Sequence, residues 1–202
     1  MVEFHTDRRE LQTCLADRGV KRVIVTGDSV SNGLRELMTK RNAIVTANGR
    51  LTIKDAAKGK YEEFFKAAEA ANGTVGVVAN FNVQHLIWHE PLAEIARSAK
   101  QFARDWAEAA EAHASEDDRP RVRLIIFTGM SLHGFREPYC THERAWRASR
   151  AIVDAFRPVA GVDVADGFRI TEARPDGAVD GMHYGDGANF AFAAAVFHHL
   201  CT

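Results

Sequence analysis

Apolar positions along this chain recur with two alternating periods. Residues 8–18 are charged, with apolar or small positions at Leu11, Cys14 and Leu15, the spacing of one helix face, and Gly19 stands where such a helix ends. The run Arg22-Val23-Ile24-Val25-Thr26 is short, apolar and β-branched, the signature of a buried strand, and Gly27-Asp28-Ser29 follows at once. Leu34, Leu37 and Met38 then share a helix face, and Ala43-Ile44-Val45-Thr46 is a second strand-like run closed by Asn48-Gly49. Residues 60–71 predict a helix carrying Tyr61, Phe64 and Phe65, stopped by Asn72-Gly73. Thr74-Val75-Gly76-Val77-Val78-Ala79 is the clearest strand, and Pro91 to about Ala114 is a long helix with Leu92, Ile95, Phe102 and Trp106. Residues 122–128 form a fourth strand ending at Gly129, 142–157 another helix, 161–164 a short fifth strand, and about 188–200 a closing helix.

Strands that alternate with helices of ten or more residues imply a parallel sheet covered on both faces. With right-handed crossovers this is an α/β fold, a three-layer αβα sandwich around a parallel sheet of about five strands, flavodoxin-like in plan. The whole chain, residues 1–202, reads as one domain, without internal repeats or low-complexity tracts. In such sheets ligands bind beyond the carboxyl ends of the strands. The segments just after the first, third and fourth strands, and the last loop before the final helix, are therefore where chemistry is expected.

Composition narrows the functional classes. A formal net charge of −1 and mixed local charge clusters give no electrostatic reason to expect a nucleic-acid partner. No stretch approaches the ~18 apolar residues of a membrane span, and the first residues show no basic segment followed by an apolar run. The expected location is the cytoplasm, or a lumenal or secreted one if the sequence is an excised domain. Cys14, Cys140 and Cys201 are an odd set whose spacing fits neither a disulfide framework nor a zinc site, so three free thiols are expected. His85 and His89 have the spacing of paired zinc ligands but lack the intervening glutamate of the zinc-protease motif, so neither metal nor cofactor is expected. Nothing here bears on oligomeric state.

A serine placed where a strand turns into a helix has its hydroxyl above the sheet, and its own N–H at the helix N-terminus, where a developing oxyanion is stabilised. Ser29 is so placed, although Asp28 and Ser29 would equally serve as a helix cap. A serine hydroxyl needs a base to be nucleophilic, usually a histidine whose second nitrogen is held by a carboxylate. Asp180 and His183, three residues apart in Val179-Asp180-Gly181-Met182-His183-Tyr184-Gly185, supply both from one turn that Gly181 eases. An isolated pair of this kind is more often a turn aspartate and a surface histidine.

Together, Gly27-Asp28-Ser29 after the first strand and Asp180-x-x-His183 before the last helix resemble the SGNH (GDSL) hydrolase family over nearly the whole chain. That resemblance implies the αβα sandwich and metal-free acyl-ester chemistry, with Ser29 as nucleophile, His183 as general base and Asp180 as its orienter. The family's Gly-x-Asn-Asp block corresponds to Asn80-Phe81-Asn82-Val83, so Asn82 matches the oxyanion asparagine while Asn80 replaces the glycine and Val83 the aspartate. Gly49 is the candidate for the remaining oxyanion donor beside Ser29 and Asn82, with Gly59 its competitor. Asn82-x-x-His85, the Asp-Gly-x-His-Tyr of residues 180–184, Phe168 and Thr171 look like the PC-esterase (trichome-birefringence-like) branch, whose members act on carbohydrate O-acetyl groups. Asp28, His85 and His133 are candidates to contact substrate, with His142 close by in sequence.

The expected activity is hydrolysis of an acyl ester, including O-acetyl, on a small molecule or carbohydrate through an acyl-enzyme. Two alternatives stay open. One is O-acyl or O-acetyl transfer to a carbohydrate hydroxyl; the other is a catalytically silent interaction module that keeps the fold.

Overall fold

The computed structural model describes residues 8–27, 32–41, 44–47, 56–80, 90–114, 121–133, 141–181 and 183–202. The elements in chain order are α1 (Arg8–Asp17), β1 (Val20–Thr26), α2 (Asn32–Arg41), β2 (Val45–Ala47), a π-turn (Ala56–Lys60), α3 (Glu62–Ala71), β3 (Thr74–Asn80), α4 (Leu92–Ala112), β4 (Val122–Phe127), α5 (His142–Phe156), β5 (Val162–Ala165), α6 (Gly167–Glu172), a 3-10 turn (Pro175–Gly177) and α7 (Asp186–Cys201). The expected strands and long helices are all present. The short helix α6 was not foreseen; Asp166 starts it by accepting a hydrogen bond from the Arg169 N–H at 3.2 Å.

The five strands form one parallel sheet in the order β2-β1-β3-β4-β5. Alternation along each strand divides the core in two. Val23, Val25, Val78, Ile125 and Phe127 face one layer with α1, α2 and α7, through Leu11, Leu15, Leu34, Met38, Phe192 and Leu200. Ile24, Val75, Val77, Ala79, Leu124 and Ile126 face the other, with α3, α4 and α5. In that second layer Tyr61, Phe65, Phe102, Trp106 and Phe156 pack ring against ring, with Phe65–Trp106 centroids 5.1 Å apart and Phe102–Phe156 5.3 Å apart. Each such fully buried side chain contributes about 1.5–3 kcal/mol relative to exposure.

The last helix is anchored at its C-terminal end, which fixes where its N-terminus points. Arg123 on β4 donates to the carbonyls of Leu200 (3.0 Å) and His199 (2.8 Å), two acceptors that the helix itself leaves unsatisfied. Leu200 lies so close over β3 that a Cβ built on Gly76 would come within 2.6 Å of its Cδ2. Cys201 is disulfide-bonded to Cys14 on α1, with their Cα atoms 5.7 Å apart. Three free thiols were expected; the fold brings two cysteines from opposite ends of the chain together, a proximity that spacing along the sequence does not reveal. Among the described residues, no helix is long and apolar enough to cross a membrane.

The strand order reverses direction between β1 and β3: the chain leaves β1 for β2 on one side, then returns to β3 on the other. That is the switch point at which sheets of this kind open a crevice at their carboxyl edge. Gly27, which follows β1, and Asn80, which ends β3, both lie there.

Candidate active site

At the carboxyl edge, the chain between the 3-10 turn and α7 makes a closed turn. The Val179 N–H donates to the His183 carbonyl at 2.7 Å, Ala178 and Tyr184 pair as an antiparallel bridge, and the Gly185 N–H donates to Gly177 at 3.0 Å. Gly181 takes φ +85° within the turn, a left-handed conformation open to glycine at little cost. The turn brings Asp180 and His183 together. One carboxylate oxygen, Oδ1, accepts from the His183 backbone N–H at 2.7 Å; the other, Oδ2, lies 2.6 Å from His183 Nδ1. A carboxylate so placed holds the hydrogen on Nδ1 and leaves Nε2 as the basic nitrogen, the tautomer that a general base requires. The His183 side chain is 37% exposed and that of Asp180 51%, so the pair lies at the surface, within reach of a ligand.

The loop after β4 backs this turn. The His133 N–H donates to the Gly181 carbonyl at 2.9 Å. Buried Ser131 places its Oγ 2.8 Å from the Tyr184 hydroxyl, 2.9 Å from His133 Nε2 and 3.0 Å from Thr171 Oγ1. His133 is thus tied to the turn by its backbone and to Ser131 by its ring, and its ring centroid lies 5.5 Å from that of His142. His142 in turn packs on Phe168, centroids 4.9 Å apart, with Nδ1 3.2 Å from the Leu132 carbonyl.

After β1, Gly27 and Asn32 bracket residues 28–31, which lie outside the described residues together with Gly49, Asn82 and His85. Ser29, Asp28 and the oxyanion candidates are therefore placed by sequence alone, whereas Asp180, His183 and His133 are placed by the fold. The helix that follows the serine segment does reach the histidine turn: a Cβ on Gly33 would come within 2.3 Å of Asn189 Nδ2, and that same nitrogen donates to the Tyr184 carbonyl at 3.0 Å. Asn80, the residue in the glycine position of the asparagine block, is 2% exposed, and neither of its side-chain amide atoms has a hydrogen-bond partner among the described residues. Buried amides of this kind are rare and call for a reason.

Sequence patterning did not identify Ser131, Asn189 or Gly33 as parts of this site. None lies in a recognisable motif, and several of their contacts join segments 40 or more residues apart, such as Ser131 with Thr171 and Tyr184. Among the described residues, no group of three or more His, Cys, Asp or Glu side chains is arranged to hold a metal ion.

No family model and no curated protein matches this sequence. Solved structures do match. The lipase/acylhydrolase from Enterococcus faecalis superposes with a TM-score of 0.62 at 16% identity, covering 89% of this chain and 95% of that one. The C-terminal catalytic domain of a peptidoglycan O-acetyltransferase from Streptococcus pneumoniae gives 0.55 at 13% identity, over 89% of this chain and 90% of that one. A GDSL-like lipase from Bacteroides thetaiotaomicron gives 0.54 at 13% identity, over 96% and 97%. At such identities the likeness concerns the fold, and this chain has the five-stranded parallel-sheet fold of the GDSL (SGNH) lipases and acylhydrolases.

Proposed function

We propose that this protein is a serine esterase that cleaves an acyl ester, with O-acetyl groups on carbohydrate as the preferred substrate class. The observation that carries the reading is the Asp180–His183 turn, with its 2.6 and 2.7 Å hydrogen bonds, at the carboxyl edge of the sheet. Two further features support it. The close packing of Gly33 on Asn189 joins the helix after the serine segment to the histidine turn, and the fold is shared with acylhydrolases. The carbohydrate preference rests on the Asn82-x-x-His85 spacing and on the fold shared with a peptidoglycan O-acetyltransferase domain.

In this mechanism His183 Nε2 takes the Ser29 hydroxyl proton as Oγ bonds to the ester carbonyl carbon. Asp180 holds the imidazolium that forms. The Ser29 N–H, the Asn82 side chain and the Gly49 N–H stabilise the oxyanion, a role in which each donor is worth about 10²–10³ in rate. His183 then returns the proton to the departing alcohol, leaving an acyl-enzyme. Water attacks that intermediate, gives a proton to His183, and the acid leaves as Ser29 Oγ recovers it. Where a sugar hydroxyl replaces water, the same residues perform acyl transfer, and the fold shared with the O-acetyltransferase domain favours this second reading. The Cys14–Cys201 bond supports work in an oxidising compartment, where disulfides persist.

The reading is tested by fluorophosphonate labelling and aryl-acetate hydrolysis of the wild type, Ser29→Ala and His183→Ala. Loss of both signals in both variants supports it. Folded wild-type protein that neither labels nor hydrolyses would point instead to an interaction module.

A further inference from the structure

The turn that carries Asp180 and His183 is held from behind at two points, one on each side of His183. On one side the Gly181 carbonyl accepts from the His133 N–H at 2.9 Å. On the other, the Tyr184 hydroxyl lies 2.8 Å from Ser131 Oγ and donates to the Ser131 carbonyl at 3.0 Å. Both anchors come from the short loop behind β4, whose residues Met130, Ser131 and Leu132 are buried.

Thr171 and His133 join the same set of contacts. Thr171 Oγ1 donates to the Gly167 carbonyl at 2.8 Å and accepts from the Ser131 N–H at 2.8 Å. Ser131 Oγ has three neighbours, Thr171 Oγ1, Tyr184 OH and His133 Nε2, and a hydroxyl gives one hydrogen while accepting two. The Ser131 hydrogen is directed to Thr171 and the Tyr184 hydrogen to the Ser131 carbonyl, so the three hydroxyls and the His133 ring form one close polar cluster. A buried polar network of this kind resists displacement, because a shift leaves buried groups unpaired.

Accepting the esterase reading, we propose that Tyr184 and Ser131 are positioning residues of the reaction. Their paired hydroxyls fix the Asp180–His183 turn so that Nε2 is presented to the nucleophile in a single orientation, and the His133 backbone holds the other flank. Tyr184 touches no reacting atom; it acts through the turn. Tyr184 is 7% exposed, and that burial raises its phenol above the ordinary value, so the hydroxyl keeps its hydrogen and stays a donor over the range in which esters are assayed.

The test uses Tyr184→Phe, which keeps the buried ring, together with Ser131→Ala and the double variant. Turnover of an aryl acetate is measured alongside the low-field proton resonance of His183 Nδ1–H. Positioning predicts that kcat falls roughly tenfold to a hundredfold in each single variant while KM stays within about twofold, since small misplacements of a catalytic group have effects of this size. The double variant should be about as slow as the slower single one, because both remove the same tie. The His183 resonance should shift or broaden, which a change in global stability alone would not produce. Unchanged kcat and an unchanged resonance in folded Tyr184→Phe or Ser131→Ala would overturn the proposal, as would losses that multiply in the double variant. Failure of the esterase reading looks different: the folded wild type would then show no turnover, or its turnover would survive His183→Ala.

Discussion

Asp180 accepts two hydrogen bonds from His183, one from the backbone N–H at 2.7 Å and one from Nδ1 at 2.6 Å. The first needs any acceptor; the second needs a carboxylate, because only an anion both selects the Nδ1–H tautomer and stabilises the imidazolium. Asp180→Asn therefore keeps the turn and loses the chemistry. The expected result is a fall in kcat of about 10²–10⁴-fold with a nearly unchanged unfolding curve. Retained turnover would show that His183 does not work through this carboxylate.

Gly33 has no room for a side chain, since a Cβ there would come within 2.3 Å of Asn189 Nδ2. Gly33→Ala must displace the amide that holds the Tyr184 carbonyl. Overpacking of this kind costs about 1–3 kcal/mol, readable by urea unfolding, and ester turnover should fall with it. Gly187, near the start of α7, is the control, because a Cβ there meets nothing within 4 Å. Gly187→Ala should be neutral or stabilising by up to about 1 kcal/mol. Equal effects of the two substitutions would contradict this packing.

Asn80 has two buried side-chain polar atoms without a partner among the described residues, beside the switch point. Replacement of such a group by an apolar side chain of similar size is neutral or stabilising, by up to about 1–3 kcal/mol when a desolvation penalty is removed. Asn80→Leu is expected to raise Tm while lowering ester turnover, as happens when a stability penalty is kept for function. A clear drop in Tm would mean that the amide is satisfied in solution.

The Cys14–Cys201 bond closes a loop spanning 187 positions. Chain-entropy arguments assign about 5 kcal/mol to a loop of that length, as an upper value. Reduction should lower Tm by roughly 10 °C, and Cys14→Ser with Cys201→Ser should behave identically with or without reductant. Scanning calorimetry of the four samples checks this; no effect of reductant on the wild type would rule out the bond in solution.

Two tyrosines predict the alkaline limb of stability. Burial raises the hydroxyl of Tyr184, and burial followed by the charges of Asp105, Glu62 and Glu108 raises that of Tyr61. A group whose folded pKa is raised binds its proton more tightly when folded. Its contribution is complete below the unfolded value of about 10 and is lost as pH rises through the folded value. Stability should therefore decline above about pH 10, and less steeply in Tyr61→Phe and Tyr184→Phe. Identical slopes in wild type and variants would remove these two groups as the cause.

Periodicity alone carried the architecture, because a buried parallel strand and an amphipathic helix impose different spacings on apolar residues. Val75–Ala79 and the face of Leu92, Ile95, Phe102 and Trp106 were legible for that reason, and the parallel sheet followed from their alternation. Asp180 and His183 were legible too, since three residues of turn are enough to join them. Short strand order was not: that β1 sits between β2 and β3, creating the switch point, is a long-range pairing with no local signature. The same limit hid the Cys14–Cys201 bond, the Gly33–Asn189 packing and the Ser131–Thr171–Tyr184 set. The sequence by itself determined which segments become the main strands and helices, because local spacing suffices for that, and its resemblance to a known family marked which residues could bear ester chemistry. Only the tertiary structure decided what stands behind the histidine turn, because those contacts form when distant segments, each folded for its own local reasons, meet over the carboxyl edge of one sheet.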